Sequence, residues 1–97
     1  MRQIEKTMCA AIACGRDMRC GNTAVVNNAE GTAVYLHGHL IWQRDAKGAE
    51  RFSLCGWNTP TTRSRLRALG VDVRQREYCA IYNGKVIDSR GRYVVER

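Results

Sequence analysis

Thr59-Pro60-Thr61-Thr62-Arg63-Ser64-Arg65-Leu66-Arg67-Ala68-Leu69-Gly70 carries its own helix punctuation. Thr59 supplies an N-cap hydroxyl, Pro60 suits the first helical position, where its missing amide costs nothing, and Gly70 ends the helix as a C′ residue. Thr62, Leu66 and Leu69 share one narrow edge, so the spacing predicts a helix over Pro60–Leu69 that buries that edge. On both sides of this segment the apolar period falls to two. One well-marked helix set among several period-two segments is the signature of an α+β chain with an antiparallel sheet.

Upstream, Thr23-Ala24-Val25-Val26, Ala33-Val34-Tyr35-Leu36-His37, Leu40-Ile41-Trp42-Gln43-Arg44 and Arg51-Phe52-Ser53-Leu54-Cys55 read as strands. The links between them are short and polar (Asn27 to Gly31, and Asp45-Ala46-Lys47-Gly48), which favours a meander. Gly38 either bulges or turns the chain. Downstream, Val71-Asp72-Val73 and Tyr78 to Tyr82 are strand-like. Asn83-Gly84 is the strongest hairpin signal, leading into Lys85-Val86-Ile87-Asp88, and Tyr93-Val94-Val95 reads as a last strand. At the other end, Ile4, Met8, Ala11 and Ile12 form a helical stripe closed by Gly15, which predicts a first helix over Gln3–Cys14. Glu5 near its start and Arg16 and Arg19 beyond its end suit the helix dipole. The expected architecture is a single α+β domain over residues 1–97. An antiparallel sheet, a meander plus a C-terminal hairpin, carries two helices on one face.

The chain has 97 residues, enough for one modest core and too few for two domains. Its hydrophobic fraction of 44% and charged fraction of 26% are ordinary for a folded domain. No apolar run approaches the ~20 residues that span a bilayer, and the acidic, interrupted start at Ile4-Glu5-Lys6 does not read as a signal peptide. The expectation is a chain that stays where it is made, with no membrane partner. Cys9, Cys14, Cys20, Cys55 and Cys79 make an odd count without a CxxC spacing, which favours reduced thiols over a disulfide framework, a zinc ribbon or a redox motif. Sixteen basic residues, thirteen of them arginine, against nine acids give a net charge of +7. Arginine's planar fork suits phosphate, and a basic excess of this size favours polyanions. A GC-rich genome produces the same arginine richness with no such purpose.

Gly21-Asn22-Thr23-Ala24-Val25, Val34-Tyr35-Leu36-His37-Gly38 and Ser53-Leu54-Cys55-Gly56-Trp57-Asn58-Thr59-Pro60-Thr61-Thr62-Arg63-Ser64-Arg65-Leu66 together resemble a family of short uncharacterised proteins from tailed bacteriophages. The opening Ile4-Glu5-Lys6 and its alanine-containing helix fit as well, so the resemblance covers most of residues 4–69. The last block is the most specific, since composition does not explain a run of this kind. His39 stands where the family would carry a small polar residue. The resemblance implies a phage origin and a place in the cytoplasm of an infected host. It implies no activity.

The start of the second helix is the foremost candidate site. Its free amides and positive dipole end favour anions, Thr59, Thr61 and Thr62 add hydroxyls, and Arg63 and Arg67 lie i, i+4 on one face. Trp57 is placed to stack on a base or to pack in the core. Arg65, Arg74 and Arg76 extend the densest basic segment, with Asp72 its single acid. Simple capping beneath a solvated arginine face is the equally weighted plain reading. His37 and His39 form an H-x-H pair expected to share one side of a strand, but two imidazoles do not complete a zinc site, so they are weak metal candidates. No nucleophile elbow, P-loop, Rossmann glycine pattern or acid/base pair is written in the chain, which argues against an enzyme and against a cofactor. Two functions stand. One is sequence-independent binding of DNA or RNA through the second helix. The other is modulation or inhibition of a host protein through exposed Trp, Tyr and Arg. The oligomeric state is left open.

Overall fold

The computed structural model describes residues 1–97 and shows two helices and two antiparallel sheets. The first helix, α1 (Gln3–Cys14), ends at Gly15 in the left-handed conformation, as its stripe and glycine predict. Strands β1 (Met18–Cys20), β2 (Thr23–Asn28), β3 (Gly31–Leu36), β4 (His39–Asp45) and β5 (Glu50–Ser53) follow as a meander. The second helix, α2 (Pro60–Ala68), comes next, then β6 (Val73–Arg76), β7 (Cys79–Tyr82), β8 (Lys85–Ile87) and β9 (Arg92–Val94). Strand β9 leaves the C-terminal hairpin and pairs with β5, so the large sheet runs β1-β2-β3-β4-β5-β9 and the small one β6-β7-β8. No helix is long and apolar enough to cross a membrane.

One core lies between the layers. Met8 and Ala11 from α1 and Leu66 from α2 meet Val25, Val34, Leu36, Trp42, Phe52 and Leu54 from the large sheet or its immediate continuation. The small sheet adds Val73, Ala80 and Tyr82. Phe52 and Tyr82 join the two sheets through an edge-to-face contact with ring centroids 4.9 Å apart. Both helices and the small sheet therefore cover the same face of the large sheet.

Three local readings change. His37 and Gly38 form a two-residue turn with φ of 52° and 79°, the geometry that the twist of a tight hairpin demands, so His37 is not a strand residue. Gly38 thus turns the chain, one of the two roles expected for it, and a separate bulge falls in β4, where Val34 pairs with Trp42 but Tyr35 pairs with Leu40. Strand β1 was not expected, because three residues are too few to show a period; it exists as the hairpin partner of β2. Strand β6 begins at Val73 rather than Val71, because Arg74-Gln75-Arg76 lie on an exposed hairpin where alternation with apolar residues is not required. The Asn83-Gly84 turn occurs as expected, with φ of 55° and 76°.

Candidate functional site

The segment entering α2 is built as its punctuation implies. The Thr59 hydroxyl accepts the Thr62 amide at 3.2 Å and lies 2.9 Å from the Thr62 hydroxyl. At the far end, the Gly70 amide donates to the Arg67 carbonyl and the Val71 amide to the Leu66 carbonyl. Just upstream, Cys55 and Gly56 turn the chain with φ of 53° and 83°, which throws the Trp57 side chain outward until it is 58% exposed. Trp57, Thr59, Thr61 and Thr62 then wall a cleft of about 530 Å³ whose floor is Leu36, Ile41 and Leu54. His37 and His39 border the same cleft, although the turn between them removes the shared strand face. No group of three or more His, Cys, Asp or Glu side chains is disposed to hold a metal ion.

The arginines expected to form a basic binding surface are divided between the interior and the exterior. Arg65 is 3% exposed, and its guanidinium donates to the Glu5 carboxylate at 2.7 Å and to the Thr23 hydroxyl at 3.1 Å. Arg63 is 7% exposed and donates to the Asn58 side chain. Burial, with a smaller contribution from the neighbouring Arg67 charge, lowers the Arg63 pKa from its ordinary value. The expected i, i+4 pair of free cations at Arg63 and Arg67 is thus half absent. Arg67 is exposed and donates to the Val73 carbonyl, while Arg74 is exposed and paired with Asp72 at 2.6 Å. The physical reason lies in Glu5. Its carboxylate is 2% exposed and also accepts from the Ser64 hydroxyl at 2.6 Å, so α1 offers a buried anion that draws Arg65 inward. Burial alone would raise the Glu5 pKa. Hydrogen bonds from Ser64, Arg65 and the Arg2 amide, with the Arg65 charge, nonetheless hold it below the ordinary carboxylate value.

The opposite face of the large sheet carries a second set of residues. Ladder pairing aligns Arg19, Ala24, Tyr35 and Leu40 in one row. The next row is Val26, Ala33, Gln43, Arg51 and Val94. None of these side chains belongs to the core or packs against it. Tyr35 borders two shallow depressions, of about 500 Å³ beside Arg19, Ala24 and Val26 and about 290 Å³ beside Ala33 and Gln43. The pattern around Ala33 and Tyr35 marks a strand, but alternation alone does not say which face a helix will cover.

A family model described as Kyanoviridae Gp96 protein matches residues 1–96, beyond the phage resemblance carried within residues 4–69. No curated protein and no solved structure matches the chain.

Proposed function

The chain belongs to the Kyanoviridae Gp96 family, a phage protein family, and on that premise we propose that it is a small basic binding protein that holds nucleic acid through phosphate contacts in the cytoplasm of the infected host. The observation that carries this reading is the uncompensated surface charge. The three ion pairs, Arg65–Glu5, Arg74–Asp72 and Arg97–Glu50, each cancel themselves and leave the whole excess of +7 on other side chains. Arg63 is the one such cation inside the protein; Arg2, Lys6, Arg16, Arg19, Lys47, Arg51, Arg67, Arg76, Lys85, Arg90 and Arg92 are all exposed. Cations spread over several elements suit a charged backbone and do not read base edges, so binding is sequence-independent. Arg67 remains a member of this surface, while Arg74, exposed but paired with Asp72, adds no net charge to it. Arg63 and Arg65 support it only by holding α2 in place.

The test is fluorescence anisotropy of labelled DNA and RNA of unrelated sequences, titrated between about 50 and about 200 mM salt. Affinity should fall steeply and in parallel for all sequences. Absence of binding at the low-salt end overturns the proposal. One observation favours a host protein as partner instead: the exposed Trp57 beside an apolar-floored cleft is the kind of anchor that protein interfaces use. Under that reading Trp57→Ala abolishes capture of one host protein, and nuclease treatment leaves the capture intact.

A further inference from the structure

We infer that the open face of the large sheet binds single-stranded nucleic acid, with Tyr35 as the stacking platform for a base and Arg19, Arg51 and Arg92 gripping the phosphates at the two sides. This rests on the nucleic-acid reading above and names its substrate class and its site.

The face has the composition such a platform needs. Tyr35 lies on β3 between Ala24 of β2 and Leu40 of β4, with Ala33 two residues before it on the same side. Small alanine neighbours leave room above the sheet, and the depressions on either side of Tyr35 offer places for flanking bases. Stacking on an aromatic ring is open to any base, because every base has a π-face, but only when the base is not already stacked within a duplex. Charge is arranged to match. Arg19 stands on edge strand β1, while Arg51 and Arg92 stand on β5 and edge strand β9, so cations bracket the aromatic. The Arg92 guanidinium donates to the Leu40 carbonyl at 3.1 Å, which holds it beside the Tyr35 row. Neither of the two rows contains a carboxylate. Beyond these rows Glu30 and Asp45 line the smaller depression, and Asp45 is engaged by the amides of Lys47 and Ala49 in its own turn.

A duplex explains the face less well. A sheet face with half-buried Tyr35 offers no helix or ribbon to enter a groove, and phosphate contacts alone would leave the aromatic and the depressions without use.

The experiment compares labelled oligo-dT and oligo-U of about 16 nucleotides with a duplex of the same length, by anisotropy at several salt concentrations. Both single strands should bind more tightly than the duplex. Tyr35→Leu should weaken single-strand binding by about 5- to 150-fold while Tyr35→Phe leaves it nearly unchanged. Arg19→Gln with Arg51→Gln, both at exposed positions, should lower the single-strand salt slope by roughly 1.4. If Tyr35→Leu does not fold by circular dichroism, the arginine double variant decides alone. Equal affinity for duplex, or an unchanged salt slope in the double variant, overturns this inference and leaves the general nucleic-acid reading standing. Absence of binding to all three probes overturns both. Dimerisation that Tyr35→Leu abolishes, without binding to any probe, would assign the face to a second copy of the chain and likewise overturn both.

Discussion

Glu5→Gln is the most informative single substitution, because it removes one charge from the centre of the network that joins α1, α2 and β2. The side chain keeps its size, yet the Arg65 guanidinium, 3% exposed, is left with the Thr23 hydroxyl at 3.1 Å and the Asn22 side chain at 3.5 Å. Removing one partner of a buried ion pair typically costs about 3–5 kcal/mol, because the surviving charge has no route to water. For a chain of 97 residues, whose total stability is about 5–15 kcal/mol, that is a large share. At a urea dependence of about 2 kcal/mol per molar, the unfolding midpoint should fall by roughly 2 M with an unchanged slope. Circular dichroism through a urea titration measures this directly. The double substitution Glu5→Leu with Arg65→Met removes both charges and should recover most of the loss, since an apolar pair of similar volume needs no desolvation of ions. A loss below about 1 kcal/mol for Glu5→Gln would place the pair among solvated surface bridges and refute the reasoning. So would a double variant no more stable than the single one.

Four further outcomes are expected. The Glu5 and Glu50 carboxyls are both held low, Glu50 chiefly by its hydrogen bonds from Arg97, and a carboxyl lowered in the folded state stabilises above the unfolded value of about 4.3. That contribution is lost as pH falls from there through the folded values, so melting temperature should drop in this acid window and drop less in Glu5→Gln; equal drops would contradict it. Arg63→Ala should cost about 1.5–3 kcal/mol through the buried bond to Asn58, whereas Arg67→Ala at its exposed position should cost about 1 kcal/mol or less, and matched denaturation curves that reverse this order would show Arg63 to be solvated. Gly31→Ala should be severely destabilising, because its Cβ would lie 2.0 Å from the Arg44 carbonyl oxygen, while Gly84→Ala, at φ of 76° in open space, should cost only about 1–2 kcal/mol. A thiol-reactive dye should label exposed Cys14, Cys20 and Cys79 quickly and Cys9 slowly, since Cys9 is half-buried and its pKa is raised by burial and by the Glu5 charge; labelling of Cys9 at the rate of Cys79, read by mass spectrometry, would contradict that.

Local chemistry alone determined much of this protein. A cap, a proline and a terminal glycine write α2 into Thr59–Gly70, the apolar stripe from Ile4 to Ile12 writes α1, and Asn83-Gly84 writes its turn, because each acts through neighbours a few residues away. Alternation in the strands likewise gave one buried face and hence the α+β class. The sequence also placed Trp57, Thr59, Thr61 and Thr62 together, and the structure gathers them around one cleft. The tertiary structure decided what depends on distant partners. Arg65 looks like any other surface arginine in a basic helix until Glu5, sixty residues away, is found buried beside it. Strand β9 could join either sheet by its own pattern, and it is the edge of β5 that accepts it. Which face of the large sheet stayed open, leaving Tyr35 between arginines, was fixed only when both helices and the small sheet packed on the other side, because a strand's alternation distinguishes two faces without saying which one will be covered.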